Sequence, residues 1–139
     1  MKYELINPNI DSNLSLIEQI FINRKIPREN INHYLNTTDQ DILDPKLLED
    51  IAWGAKMLIG HIKNNDDIFI QIDEDCDGFT SSALLVNYLY KLFPSFVDNH
   101  LYYRVHTNKQ HGIIPKTVPN NIKLVIIPDA GSNQYEEHT

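Results

Sequence analysis

Three aspartates alternate in the run Ile72-Asp73-Glu74-Asp75-Cys76-Asp77-Gly78-Phe79-Thr80-Ser81. Carboxylates this close repel one another unless a proton or a cation lies between them. In extended backbone alternate residues point the same way, so Asp73, Asp75 and Asp77 are expected to converge. A hard divalent cation bound through oxygen is the economical chemistry for such a set. Gly78 permits a sharp turn, and a helix beginning near Phe79 would direct free backbone N–H groups at the same spot, beside the Thr80 and Ser81 hydroxyls. A cation next to a helix N-terminus makes a phosphate site.

Two plainer readings compete. Asp-x-Asp-x-Asp-Gly also opens an EF-hand calcium loop, but the twelfth position should then be a bidentate glutamate and here it is Leu84. A solvated acidic turn with no ligand would not explain why it joins an apolar strand to an apolar helix. A second acid, Asp129, follows the apolar run Val125-Ile126-Ile127-Pro128 and precedes Ala130-Gly131. One aspartate at a strand end serves equally well as a helix cap. Two strand-end acids in one small sheet point instead to a shared cation.

The elements that must position these acids are legible from periodicity. Ile68 to Ile72 is a short, nearly continuous apolar run, suited to a strand buried on both faces of a parallel sheet. Phe79 to Phe93 reads as a helix with Ala83, Leu84, Val86, Leu89 and Tyr90 inside, and strands are expected at 101–105 and 123–127. Upstream, Asp44 and Pro45 start a helix carrying Leu48, Ile51, Ala52, Ala55, Leu58, Ile59 and Ile62 on one face, with Trp53 packing against the sheet. Two short helices precede it, one capped by Ser12 or Asn13 and one opening near Pro27. Ser132 to Glu137 has the look of a cap and acidic first turn of another helix. The order implies an α/β fold, a partial three-layer, Rossmann-like parallel sheet (residues 44–139) behind a helical lead-in (residues 1–43). A sheet this narrow, with a helix just beginning at its end, is expected of a truncated domain.

Composition narrows the function. A formal net charge of −7 argues against gripping nucleic acid with a broad basic surface, yet clustered carboxylates that bind metals would supply positive charge locally. No run is long and apolar enough for a membrane span. One cysteine, Cys76, excludes an internal disulfide and fits a reducing cytoplasm. It reads as a small turn residue, while His33, His61 and His100 read as surface or interface residues without ligand spacing.

The segment Asp73 to Leu85 resembles the first motif of the DHH phosphoesterase superfamily as RecJ-like nucleases write it, Asp-x-Asp-x-Asp-Gly-x-Thr-(Ser/Ala/Gly)-x-Ala. Ile126 to Gly131 is similar to the second motif, an apolar strand followed by Asp-x-Gly, and the upstream helices resemble the RecJ lead-in. The resemblance implies a DHH domain that hydrolyses phosphodiesters with Mn2+ or Mg2+, acting on single-stranded DNA or an oligonucleotide, in DNA repair and recombination. It further implies Asp75 and Asp77 as metal ligands, Asp73 as a ligand or close neighbour, and Asp129 as a bridge between two ions. Arg104, His106, Lys109 and His111 fall where relatives hold substrate-facing residues, together with Thr80 and Ser81. Two departures stand out: Pro128 precedes the second-motif aspartate, and the Asp-His-His motif is absent. The two-ion site is therefore incomplete in this chain, which by itself is expected to be inactive. The same motifs serve relatives that cleave short oligonucleotides or cyclic dinucleotides, and a non-catalytic binding or scaffold module would also retain the fold.

Overall fold

The computed structural model describes residues 13–108 and 110–137. The expected cap at Ser12, the loop residue Lys109 and His138 lie outside the described residues. The chain divides into two compact units, Met1–Glu49 and Asp50–Thr139.

In the first unit, α1 (Leu16–Asn23) starts at a capping box: the Ser15 side chain accepts from the Glu18 N–H, and the Glu18 carboxylate accepts from the Ser15 N–H. The cap is thus Ser15, two residues beyond Asn13. Pro27 precedes α2 (Arg28–Leu35), whose Ile31 is buried. Phe21 and Tyr34 join the two helices through a tilted ring contact. Asp44 does cap a turn, but only a single 3-10 turn, Pro45–Leu47, and Leu48 is exposed.

In the second unit the long helix, α3 (Ile51–Asn64), begins at Ile51 because Asp50 adopts a left-handed backbone (φ 60°) that interrupts any helix running on from Pro45. Only its later part reaches the core: Ile62 is buried and Leu58 packs against the same cluster. Trp53 is 65% exposed, so it does not pack against the sheet.

Three parallel strands follow, β1 (Ile68–Ile72), β2 (Leu101–Val105) and β3 (Leu124–Ile126), in the order β2-β1-β3. The fold is α/β. Ile68 pairs with Leu101 on one side and Leu124 on the other, and all five residues of β1 are buried. A central strand shielded on both faces has no polar alternation to display, which is why it reads as one apolar run. Ile68, Ile62, Leu89 and Phe96 form the buried cluster, with Leu85, Val97, Leu101, Leu124 and Ile126 packed on it.

Between β1 and β2 lie α4 (Cys76–Leu92) and α5 (Pro94–His100). Helix α4 starts three residues earlier than periodicity alone implied, because Asp75 caps it. Its sheet-facing stripe is Gly78, Ser82, Leu85 and Leu89, a helical progression, whereas Leu84 and Tyr90 of the same helix are exposed. Helix α5 was not anticipated. Pro94 reads as a stop but occupies the first turn of a new helix, where its missing N–H costs nothing. Phe96 buries from α5 and stacks on His100, whose Nδ1 lies 2.9 Å from Asp67; His61 makes the matching 2.9 Å contact with Asp66. Residues 132–137 form turns, not the expected helix. A largely apolar cavity of about 700 Å³ opens beside β3, lined by Leu124, Val125 and Ile127 and by Ile113, Pro115 and Val118 of the preceding loop. Among the described residues no helix is long and apolar enough to cross a membrane.

One polar residue in β1 organises the loop between β2 and β3. Gln71 is fully buried; its Nε2 donates to the Ile114 carbonyl (2.9 Å) and the Thr117 hydroxyl (2.7 Å), and its Oε1 accepts from the Ile114 N–H (3.1 Å). Replacing it with an apolar isostere would leave the Ile114 N–H without its acceptor, while the Ile114 carbonyl keeps the Thr117 N–H and hydroxyl as donors. Gln71→Leu is therefore expected to destabilise the chain by about 2 kcal/mol in urea unfolding.

Candidate metal centre

Asp73, Asp75 and Asp129 come together at the carboxyl ends of β1 and β3. One oxygen from each lies within 4.8 Å of the others. Metal–oxygen distances of roughly 2.0 to 2.6 Å allow a single divalent ion to bond to such a set. Each acid arrives by a different route. Asp73 is the residue after β1, and it is buried at 3% exposure. Asp75 is the N-cap of α4, extended in backbone, with its Oδ1 accepting from the Gly78 N–H at 3.0 Å. Asp129 follows Pro128 beyond β3 with φ 72°, a left-handed conformation that aspartate tolerates better than most non-glycine residues.

Asp77 is placed differently from the extended-chain expectation. Because α4 begins at Cys76, Asp77 lies in the first helical turn and outside the trio, though its charge is the strongest of the neighbouring carboxylates acting on Asp129. Gly78 also has a reason other than a turn. It is helical and buried, and a Cβ there would stand 2.7 Å from both the Cβ and the carbonyl oxygen of Asp73. The glycine lets α4 close onto the buried acid.

Around Asp73 the polar groups divide by oxygen. Its Oδ1 accepts from the Glu74 N–H at 3.0 Å and lies 3.5 Å from His106 Nδ1. Its Oδ2, also buried, is met by His111 Nδ1. A buried carboxylate oxygen faced by an exposed imidazole and two further carboxylates suits a cation. The donor set therefore fits a divalent ion. Burial pushes the Asp73 carboxyl up, but the Glu74 N–H and the two imidazoles outweigh it, and the net result lies below the ordinary value. Asp129 moves the other way: loss of solvent, then the charges of Asp77, Asp75 and Asp73, raise it, with His111 opposing in part.

The remaining expected site residues are scattered. His106, expected to face substrate from a loop, is 2% exposed; its N–H donates to the Ile72 carbonyl, extending the β1–β2 ladder, and its Nε2 is buried without a hydrogen bond. Thr80 and Ser81 spend their hydroxyl protons inside α4, on the Cys76 and Asp77 carbonyls. Arg104 is exposed in β2, opposite Gln71 and so below the level of Asp73. His111 does reach the acids. Sequence reasoning missed Gln71 and Gln134. Gln134 Oε1 accepts from the Ile113 N–H at 2.6 Å, and Gly112 (φ 70°) leaves room for that amide, which a Cβ would foul at 1.8 Å. A glutamine inside an otherwise apolar strand was the available signal for Gln71; nothing in the sequence marked Gln134.

Comparison with known proteins gives relatives at this point. Over 138 residues, 99% of the chain, it is 39% identical to a Bacillus subtilis (strain 168) protein provisionally named SPbeta prophage-derived single-strand DNA-specific exonuclease YorK. The same identity and coverage hold for its counterpart from Bacillus phage SPbeta. Single-stranded-DNA-specific exonuclease RecJ of Bacillus subtilis (strain 168) is 28% identical over 102 residues, 66% of the chain. The chain spans 23% of the length of the two SPbeta relatives and 13% of RecJ. No family model matches the chain, and no solved structure matches it.

The opposed shifts make a prediction about the metal-free chain. Asp129 has a folded pKa raised above its unfolded value, so its contribution to stability is full below the unfolded pKa and falls as pH rises through the folded one. Asparagine removes the repelled charge and tolerates the left-handed backbone. Asp129→Asn in EDTA is expected to melt a few degrees above the parent at pH 7, with the gap closing toward pH 3. A lower melting temperature at pH 7 would contradict the repulsive assignment. Gly78→Ala, by contrast, should cost about 1 to 3 kcal/mol by forcing α4 away from Asp73.

Proposed function

We propose that this chain carries the acidic metal-binding part of a RecJ-like exonuclease that hydrolyses phosphodiesters in single-stranded DNA. The observation that carries the reading is the convergence of Asp129, from beyond β3, with Asp73 and Asp75 from beyond β1. Sequence similarity along 99% of the chain to proteins named for single-strand DNA-specific exonuclease activity supports the substrate class.

Within that reading, Asp75 and Asp129 hold Mn2+ or Mg2+ with Asp73 buried beneath them, and Asp77 adds negative charge for a second ion. A divalent ion bound there supplies Lewis acidity, lowering the pKa of a water and offsetting charge on phosphoryl oxygens. Asp75 links the two halves of the site: its carboxylate caps α4, whose N-terminal dipole favours an anion at the same strand end. His106 keeps Asp73 oriented from the buried side. Thr80, Ser81 and Arg104 are left to meet the nucleic acid farther from the acids.

The test is cleavage by the full-length protein. With Mn2+ present, it is expected to degrade a long single strand in preference to duplex DNA and to cyclic dinucleotides, and EDTA should stop it. Asp75→Ala and Asp129→Ala should each lower turnover by about a hundredfold or more. Undiminished turnover in either variant would remove the assigned role. Preference for the dinucleotide would redirect the substrate class while keeping the metal centre.

A further inference from the structure

We infer that His111 donates an imidazole nitrogen to the cation gathered by Asp73, Asp75 and Asp129, completing a mixed nitrogen and oxygen centre. The inference rests on the reading of that trio as a cation site. It starts from Asp73 Oδ2, a buried carboxylate oxygen at the trio that is in direct contact with His111 Nδ1. A carboxylate buried beside two other carboxylates suits a cation, and any ion that reaches this oxygen meets the imidazole as well.

The position of His111 is built into the fold. The next residue, Gly112, adopts φ 70°, and the one after, Ile113, is gripped through both main-chain groups by the Gln134 side-chain amide. Ile114 is gripped in the same way by Gln71 of β1. Two amide side chains, from the central strand and from the turns that follow Asp129, thus pin the main chain behind His111. The His111 ring itself is 70% exposed and rests on Asp73 at the edge of the trio. Donors on neighbouring positions of one coordination sphere stand about 3 Å apart when metal–ligand distances are near 2.1 Å. A ring already in contact with a ligand oxygen has only its own two side-chain bonds to turn. His106 is not the donor, since it is sealed below Asp73 with its main chain tied into the sheet. It backs the carboxylate from the inner side, as outer partners of metal ligands do.

An imidazole strengthens binding of first-row transition-metal dications more than of Mg2+, which keeps oxygen ligands and water. Calorimetric titration of the 139-residue chain with Mn2+ and with Mg2+ separates the possibilities. His111→Ala is expected to weaken Mn2+ binding by about 10- to 100-fold while leaving Mg2+ binding unchanged. Asp129→Asn should abolish both. Independently, Zn2+ added to 15N-histidine-labelled chain should shift one ring nitrogen of His111 and leave those of His33 in place. If His111→Ala binds Mn2+ as the parent does and Zn2+ leaves the His111 nitrogens unmoved, the inference falls and the carboxylate centre stands. If the parent chain binds neither ion, both fall.

Discussion

Mutual repulsion among carboxylates at the end of a parallel sheet is the constraint that shapes this chain. Asp73, Asp75, Asp77 and Asp129 would separate if the backbone allowed it, and each is prevented by a different device. Burial beneath α4 fixes Asp73, helix capping fixes Asp75, and the first helical turn fixes Asp77. A left-handed backbone after Pro128 fixes Asp129. The favourable energy comes from elsewhere, from the apolar contact of Ile62, Ile68, Leu89 and Phe96 around β1. The core thus holds Asp129 against the charges of its neighbours, a pattern expected where a site is built to receive a cation.

Amides do a second job that apolar packing cannot. The loop joining β2 to β3, residues 106–123, holds only the 3-10 turn Pro115–Thr117 and no α-helix among its described residues, and long loops of this kind usually wander. Here Gln71 and Gln134 replace the missing helix by satisfying the main chain of Ile113 and Ile114 in pairs. The imidazoles of His106 and His111 enter the site on opposite sides of Asp73 for that reason.

Much of this was legible in the residues. Strand β1 was readable to the residue because burial on both faces leaves nothing but apolar side chains and one glutamine. The parallel arrangement followed from the order of helices and strands, and the meeting of Asp129 with Asp73 and Asp75 was suggested by acids placed at strand ends. Other features were hidden for physical reasons. Asp50 and Asp75 look alike in sequence, yet one breaks a helix with a left-handed backbone and the other caps one from extended backbone. Helix α5 hid behind Pro94, which ends one helix and begins the next. Trp53 was expected against the sheet and is exposed because apolar residues outnumber the positions a three-stranded sheet can cover.

The shortness of β3 has a consequence for the order in which this unit comes apart. Three residues hold it to β1, whereas five hold β2, and an apolar cavity flanks it on the outer side. It also carries the acid most strongly opposed by its neighbours. Detachment of this strand is the cheapest local opening available, so amide hydrogens at 124–126 would exchange with solvent before those at 68–72. A cation bridging Asp129 to Asp73 would act there as a rivet, making the last strand to join the sheet as slow to leave as the first.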